Sequence, residues 1–553
     1  MKKYSSLILS VMMVCLWGGF YDFTVAVYGV CFGIGLFMIA GTGHKLWIPK
    51  NHTTIALLAV TAGFVVSTFA ARDKGIGWLG LLRILIFFLF WILWCNFREE
   101  TKSRFWSGLT DVTAIVTVAA VCCYFIPGVR SYLFHAGRLG GVLQYSNTYA
   151  MLLLIALINL FYQKRTAKKW ITYVEAGIFA AGIMWCGSRS VFVLSVPVLL
   201  ILLIRKRKQI QWKWMVVIVL CVAGVVGVSA FLAENDLSRL WKLTLSSSTL
   251  NGRILYWRDA LLQLVRHPAG VGYNGYYFLQ PQFQTGNYTT KFVHNDILQF
   301  GLDGGWLAMA GILWMFVSGI FSKKNTGKNR LILVFLFLHI LFDFDLQYGL
   351  MFCIMLMCMD TTVEKKCYLK KTESYGCAAA GVILGGYFAI ALGSSYFNNQ
   401  QLAVTMYPGN TYAWEELMTE NTDGEAADRI IEKNGMLSSA YECKAAVQIS
   451  SGDYEGAKES VEKALERAGY ESTCYDQAVF ELSYCLQGAI EAGDIQLAQE
   501  VLELIQGVPE FLTQKEKQAT TLAWRINDSP KIELEESIQT YIDSLKDVSL
   551  TGE

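Results

Sequence analysis

The sequence predicts an all-α chain, a polytopic helical membrane protein of about 12–13 transmembrane helices with a soluble helical domain at its C-terminal end. Composition is the first observation behind this. Of 553 residues, 54% are hydrophobic and 17% charged, against roughly 25% charged in a soluble globular chain. The second observation is where the charge is missing. From Ser5 to about Phe397, apolar runs long enough to cross a bilayer alternate with short basic loops, while from Asn398 charge returns and acidic residues lead. The chain therefore divides into a membrane domain, 1–397, and a soluble domain, 398–553.

Within the membrane domain, apolar runs fall near 5–21, 23–40, 53–70, 78–95, 108–126, 146–162, 170–186, 190–204, 214–232, 298–321, 331–343, 346–360 and 376–396. Each can cross a core of about 30 Å, the shorter ones with tilt. The loops give an independent check. Lys2/Lys3, Lys45/Lys50, Arg98/Lys102/Arg104, Lys164/Arg165/Lys168/Lys169, Arg205–Lys208, Lys323/Lys324/Lys328/Arg330 and Lys365/Lys366/Lys370/Lys371 occupy every second loop. This alternation places the N-terminus in the cytoplasm, with Arg72 and Lys74 as the clearest exceptions. The thirty residues Leu331–Asp360 lie between two basic loops, so they cross an even number of times. That predicts a tight pair of short helices turning at Asp343–Asp345. Thirteen crossings then put the C-terminal domain outside the cell, together with Pro127–Tyr145 and a large loop over 233–297.

A net charge of +2 carries no signal for nucleic acid, because the basic residues sit in membrane loops where they set orientation. The fourteen cysteines form no CxxC pair, and most lie inside apolar runs, as do Cys31, Cys95, Cys221 and Cys353; they read as inert thiols. Met1–Tyr4 leads into an apolar run without a small-residue cleavage site, so no cleaved signal peptide is expected. No metal-ligand cluster stands out, and no cofactor or metal is expected.

Asn410–Leu545 reads as successive amphipathic helices. Gly452-Asp-Tyr-Glu-Gly-Ala457 and Gly493-Asp-Ile-Gln-Leu-Ala498 match each other: a Gly-Asp turn opens a helix, and a small residue five positions on admits a close neighbour. This pattern resembles tetratricopeptide-like hairpins, although its 41-residue spacing departs from that family's 34-residue period. Such stacks usually bind proteins, so a protein partner is expected here.

Long loops carry function more often than short ones. Asn251–Arg266 reads as a helix lying on the membrane surface, with Asn251 as its N-cap and His267-Pro268 as its end. Ile254, Trp257, Leu261 and Leu264 share one face; Arg253, Arg258 and Asp259 point elsewhere. Gly270-Val-Gly-Tyr-Asn-Gly-Tyr-Tyr277 follows as a flexible turn, and His294-Asn295-Asp296 stands at the mouth of the next span.

These pieces resemble the signature of the O-antigen ligase and polymerase superfamily. The match runs through Asn251-Gly-Arg253 with Trp257, His267-Pro268-Ala-Gly270-Val-Gly272, His294-Asn295 with Leu298-Gln299, and Gly301-Leu-Asp303-Gly304. Gly137-Arg138-Leu-Gly140 through Asn147, and Gly187-Ser188-Arg189-Ser190 at the end of a span, are similar to two further segments of that family. The resemblance covers about residues 130–345 in matched order. Tyr145-Ser146 depart from the family's usual Asn-Pro, and Asp303 from its usual Glu.

The resemblance implies transfer or polymerisation of a glycan from a polyprenyl-diphosphate donor to a glycan, lipid or protein acceptor, without a metal and with inversion. The residue chemistry fits. A lipid diphosphate is a polyanion at the membrane surface, and guanidinium groups grip phosphate oxygens two at a time. Arg138, Arg189 and Arg253 are expected to bind the diphosphate, with Arg189 also stabilising the leaving group. As an imidazole, His294 is the expected base for the acceptor hydroxyl. Asn147, Asn295, Asp303 and Asp343 are expected in support. Asp343 and Asp345 sit where charge is costly, and Asp343 is read as orienting an arginine. His135, His267 and His339 read as structural, and Arg258 and Arg266 as anchors for lipid headgroups. Two other function classes fit the sequence less well. A flippase or transporter of lipid-linked saccharide would show repeated halves and charged or broken helices at midplane, whereas the sequence shows no repeated halves and its ionisable residues gather at the outer face. A membrane-anchored helical scaffold or sensor leaves the Arg/His set unexplained.

Overall fold

Helix formers and apolar runs dominate the membrane domain, and in a computed structural model they become helices at every position expected. The structure describes residues 5–163, 169–206, 208, 211–232, 247–362 and 365–550. The expected basic residues Lys2, Lys3, Lys164, Arg165, Lys168 and Arg207, and the start of the large loop at 233–246, lie outside the described residues.

The first helices are α1 (Ser5–Cys15), α2 (Asp22–Ala40), α3 (His52–Ala70), α4 (Lys74–Asn96), α5 (Glu99–Cys122) and α6 (Pro127–Leu133). They are followed by α7 (Ser146–Tyr162), α8 (Lys169–Cys186), α9 (Arg189–Lys206) and α10 (Trp212–Leu232). Next come α11 (Ser248–Arg266), α12 (Gly275–Phe283), α13 (Asp296–Phe321), α14 (Gly327–Ile340), α15 (Gly349–Met357) and α16 (Lys371–Tyr396). Six of these (α2, α3, α4, α5, α13 and α16) are long and apolar enough to cross a bilayer, and shorter apolar helices accompany them. Large apolar side chains such as Phe69, Ile115, Ile204, Phe321 and Ile383 stay exposed on their outer faces, as expected of lipid-facing surface. The chain is an all-α, multi-pass membrane protein.

Glycine sets the tightest helix pairs. A Cβ on Gly33 of α2 would lie 2.6 Å from the Ala378 carbonyl of α16, and one on Gly63 of α3 would lie 2.5 Å from the Gly304 carbonyl of α13. Close backbone approach of this kind is how helices associate when lipid offers no hydrophobic drive.

The predicted tight pair is present. α14 and α15 are short and joined through a turn that includes Asp343 and the 3₁₀ segment Asp345–Gln347. The basic loops gather at one end of the bundle. β1 (Trp47–Pro49) pairs antiparallel with β4 (Lys366–Tyr368), Lys102 Nζ donates to Thr361 Oγ1 at 2.8 Å, and Gln163 Nε2 donates to the Ser103 carbonyl at 2.8 Å. A second ribbon, β2 (Phe134–His135) with β3 (Arg138–Leu139), lies at the opposite end.

The chain continues through α17 (Gln400–Met406), α18 (Thr411–Asn421), α19 (Gly424–Lys433), α20 (Ser438–Ser451) and α21 (Tyr454–Arg467). It finishes with α22 (Ser472–Glu491), α23 (Ile495–Gln518) and α24 (Glu536–Leu545). The two Gly-Asp turns behave as read from sequence. Gly452 and Gly493 have φ of +79° and +74°, Asp453 and Asp494 cap α21 and α23 by accepting from Gly456 N and Leu497 N, and Ala457 and Ala498 are fully buried. These helices also dock on the membrane domain. Tyr407 OH donates to the Gly75 carbonyl at 2.7 Å, and Thr411 Oγ1 to Asp73 Oδ2 at 2.5 Å. Thr520 N donates to the Thr285 carbonyl at 3.0 Å, and Lys515 Nζ to the Pro281 carbonyl at 2.8 Å. Burial pushes the Lys515 ammonium down to about 8.

Candidate functional site

At the end of the bundle opposite the basic loops, five segments far apart in sequence close around a cavity of about 620 Å³. Four of them bring Arg138, Arg189, Arg253 and His294, each by a local device.

The β2–β3 ribbon turns tightly through Ala136 and Gly137, both at positive φ, and presents Arg138. Its Nε donates to the Cys186 carbonyl at 2.8 Å and its Nη2 to Asn147 Oδ1 at 2.7 Å. Cys186 ends α8, where the last carbonyls lack partners within the helix, so the guanidinium meets an acceptor already available. Gly187, at φ +60°, then reverses the chain so that Arg189 begins α9. Arg189 Nε is buried and has no hydrogen-bond partner among the described residues.

α11 carries Arg253. Ser247 caps this helix by accepting from Leu250 N, so the helix starts three residues earlier than the sequence suggests. The expected cap, Asn251, is instead buried in the first turn, its amide directed at the Arg525 carbonyl. Ile254, Leu261 and Val265 leave an apolar stripe exposed, while Leu255, Ala260 and Leu264 pack inward. Asp259 is buried rather than solvated: it accepts from Thr285 N, Thr285 Oγ1 and Tyr288 OH. Arg258 pairs with it at 3.0 Å and stays partly exposed. His267 caps the C-terminus of α11, in keeping with a structural role. Burial, with Arg72 and Arg266 nearby, pushes its imidazole below the usual histidine range.

His294 takes the left-handed conformation at φ +54°, unusual for a residue with a side chain. The residue after it, Asn295, caps α13 by accepting from Leu298 N and donates to the Leu341 carbonyl. Trp257 Nε1 donates to the His294 carbonyl at 3.2 Å, tying α11 to this turn. The imidazole lies between Tyr256 and Phe344, with ring centroids 6.3 and 5.0 Å away.

Behind the cavity stands Asp343, fully buried. Its carboxylate accepts from Tyr145 OH at 2.8 Å and from Asn147 Nδ2 at 2.7 Å. Arg253 Nη2 is 3.3 Å away, and His294 Nδ1 lies 3.5 Å from Oδ1, too far to close a good hydrogen bond. One carboxylate thus joins α7, α11 and the His294 turn.

Of the residues expected from sequence, Arg138, Arg189, Arg253, His294 and Asn147 line the cavity. Asp343 backs it, and Asn295 holds the turn below His294. Asp303 is not brought in. It points from α13 toward Gln299, which donates to it at 2.9 Å, and its carbonyl takes a bond from Ser67. A kink at Gly305 (φ +74°) holds that stretch of α13 against the 268–271 loop, through bonds from Val271 N to the Leu302 carbonyl and from Trp306 N to the Pro268 carbonyl.

Three features escaped the sequence reading. Tyr145, noted only as a departure from a pattern, is a direct partner of Asp343. Ser190 lines the cavity beside Arg189. His339 is fully buried, bonded through Nδ1 to Asp345 at 2.5 Å and through Nε2 to Ser190 Oγ at 3.0 Å. The paired signal of a carboxylate and a histidine six residues apart was in the sequence, but only the turn after α14 faces them toward each other.

Tyr145, Ser190, Ser247 and Thr249 also line the cavity, and one part of its wall is apolar: Val193 and Leu194 from α9, Leu250 from α11, and Leu338 and Phe342 from α14 and the turn after it. Of these, Val193, Leu338 and Phe342 are exposed. The site therefore joins a guanidinium-lined polar part to an exposed apolar side.

No curated protein and no solved structure matches the chain. Residues 175–313 match the family model described as O-antigen ligase, a span that holds Arg189, Arg253 and His294 but not Arg138, Asn147 or Asp343. Over that span this multi-pass membrane protein is similar to the O-antigen ligases, which supports a role in glycan transfer at a membrane.

Proposed function

We propose that the protein is a glycosyltransferase that moves a glycan from a polyprenyl-diphosphate carrier to an acceptor hydroxyl at the outer face of the cytoplasmic membrane. One observation carries this reading. Arg138, Arg189, Arg253 and His294 line a single cavity that also has an apolar side, where Val193, Leu338 and Phe342 are exposed. A ligand that fits both walls is an amphiphile with a polyanionic head, and a lipid diphosphate is one.

The residues divide the work. The three guanidinium groups grip the diphosphate and take up the charge that develops as it leaves. His294, its Nδ1 turned to Asp343, offers Nε2 to the acceptor hydroxyl. The acceptor oxygen bonds to the anomeric carbon as its proton passes to His294. The anomeric carbon–oxygen bond breaks with its electron pair going to the diphosphate. One in-line displacement of this kind inverts the anomeric centre. Fixed cationic charge takes the part that a divalent cation plays in other transferases, so no metal is invoked.

The positive-inside pattern supports a cytoplasmic N-terminus. It also supports an extracytoplasmic position for the cavity and for the helices from α17 onward. We read those helices as a tetratricopeptide-like platform that receives an acceptor or a protein partner. Ligase and polymerase differ only in the acceptor, a core lipid, protein or wall polymer against a second lipid-linked glycan.

The test is transfer in vitro from purified polyprenyl-diphosphate oligosaccharide. His294→Ala and Arg189→Ala are expected to lose about a hundredfold or more in rate while still accumulating in the membrane, and EDTA is expected to leave transfer unchanged. Full activity in His294→Ala ends its role as base, and inhibition by EDTA overturns the metal-free reading.

A further inference from the structure

Ser190 follows Arg189 in the first turn of α9 and lines the same cavity. Its Oγ lies 3.0 Å from His339 Nε2, and His339 Nδ1 lies 2.5 Å from Asp345 Oδ2. The other carboxylate oxygen of Asp345 accepts from Thr148 Oγ1 at 2.7 Å. His339 and Asp345 are both fully buried. Ser, His and carboxylate thus stand in a chain with the oxygen at the cavity and the charge behind it.

Hydrogen-bond bookkeeping fixes the direction of that chain. A carboxylate only accepts, so Nδ1 of His339 carries the hydrogen. In the neutral imidazole Nε2 is then an acceptor, and the Ser190 hydroxyl donates to it. Ser188 Oγ, 3.2 Å from Ser190 Oγ, supplies a donor to one Ser190 lone pair. The other lone pair is left for the cavity. The guanidinium groups of Arg138, Arg189 and Arg253 only donate. Ser190 is therefore suited to a ligand O–H or N–H, and the arginines to phosphate oxygens.

We propose that Ser190 binds the substituent on the ring carbon next to the anomeric carbon of the donor's first sugar, as acceptor for a hydroxyl or an amide N–H, and that His339 and Asp345 are positioning residues that hold its hydroxyl. The proposal rests on the diphosphate-donor reading above. Ser190 is the immediate neighbour of a diphosphate-binding arginine, and on a glycosyl diphosphate the group beside the phosphate is this substituent. Hydrogen bonds at that position strengthen as positive charge grows on the sugar in the transition state. The buried histidine–carboxylate pair raises the acceptor strength of the serine oxygen at the moment it is needed.

The experiment compares three donors on the same polyprenyl diphosphate, bearing a hydroxyl, an acetamido group or only hydrogen at that carbon. In the unmodified protein, kcat/KM is expected to favour the first two over the deoxy donor by roughly tenfold. Ser190→Ala is expected to abolish that preference by lowering turnover of the first two donors and leaving the deoxy donor unchanged, so that deoxy turnover also reports a folded protein. Ser190→Thr is expected to retain the preference. In Asp345→Asn the amide donates to Nδ1, moves the hydrogen to Nε2 and turns the Ser190 proton toward the cavity, so the preference is again lost. A Ser190→Ala protein that keeps the preference, or that slows on all three donors alike, overturns the inference and leaves the donor reading standing. An unmodified protein that uses no diphosphate-linked donor overturns that reading and this inference with it.

Discussion

Two cavities of similar size lie at opposite ends of the helix bundle, and each is lined by three cations. The one at the basic-loop end, about 570 Å³, has Lys102, Lys324 and Lys328; the other, about 620 Å³, has Arg138, Arg189 and Arg253. They differ in what stands opposite the charge. Glu99 and Asp360 line the lysine cavity, and Lys102 is bonded to Glu99 and Thr361 at 2.8 Å each. Among the described residues, no carboxylate lines the arginine cavity. Its counter-charge, Asp343, is buried behind the wall, where it aligns the guanidinium of Arg253 from the rear. A cluster that neutralises itself across its own opening is a structural joint. One that is steadied from behind keeps its open side for a ligand.

Asp343 is where this contrast breaks most easily. Asp343→Asn removes the charge that serves Tyr145, Asn147, Arg253 and His294 together. The shape is kept, yet kcat is expected to fall about a hundredfold or more, because the proposed base His294 and the proposed phosphate contact Arg253 lose their common reference. Asp360→Asn in the lysine cavity is expected to change kcat by less than about threefold. Comparable losses in the two variants would show that position relative to the opening does not matter.

How much of this was legible in the sequence depends on the kind of signal. The helices from α1 to α16 that match apolar runs were readable because hydropathy and loop charge report the same crossings, and the count of basic loops even fixed the turn at Asp343–Asp345. Arg138, Arg189, Arg253 and His294 were readable from residue type and local motif. The hub at Asp343 was only half readable. A carboxylate at a span end is conspicuous, but its partners at Tyr145 and Asn147 lie 198 and 196 residues away. His339 was read as structural because its neighbours in α14 are apolar, and its links to Ser190 and Asp345 depend on how α9 and α14 meet. Asp303 failed the other way, since a matched motif does not say which face of α13 its carboxylate takes. The docking of Lys515 and Thr520 onto the Pro281 and Thr285 carbonyls left no trace, because backbone acceptors carry no side-chain signature.

The contrast can also be sharpened by making one cavity resemble the other. Thr249 lines the arginine cavity in the first turn of α11, where a carboxylate is compatible with the helix dipole. Thr249→Asp would give this cavity the internal counter-charge that the lysine cavity already has. The donor KM is expected to rise about tenfold with a smaller change in kcat, because the added charge competes with the diphosphate before chemistry begins. Thr249→Asn, which keeps the size without the charge, is expected to stay within about threefold. Equal effects from both would assign the loss to shape.

The smallest effect on transfer is expected at Lys328. Its ammonium lies 3.9 Å from the centroid of the Trp106 ring and donates to Asn159 Oδ1 at 3.0 Å, while the Asn159 amide bonds the Trp106 carbonyl and Thr110. The lysine thus closes a contact between α5, α7 and α14 rather than waiting for a ligand. In Lys328→Met the apolar stem is kept, the cation–ring contact is lost and the Asn159 oxygen is left without its donor. These losses together amount to about 1–2 kcal/mol. Thermal unfolding in detergent is expected to move down by a few degrees, with transfer at 25 °C within about twofold of the unmodified protein. A Lys328→Met protein of unchanged thermal stability that no longer turns over donor would show the lysine cavity to be functional. The distinction between a self-neutralised cluster and an open one would then fail, because it requires each cation at the basic end to act through the fold.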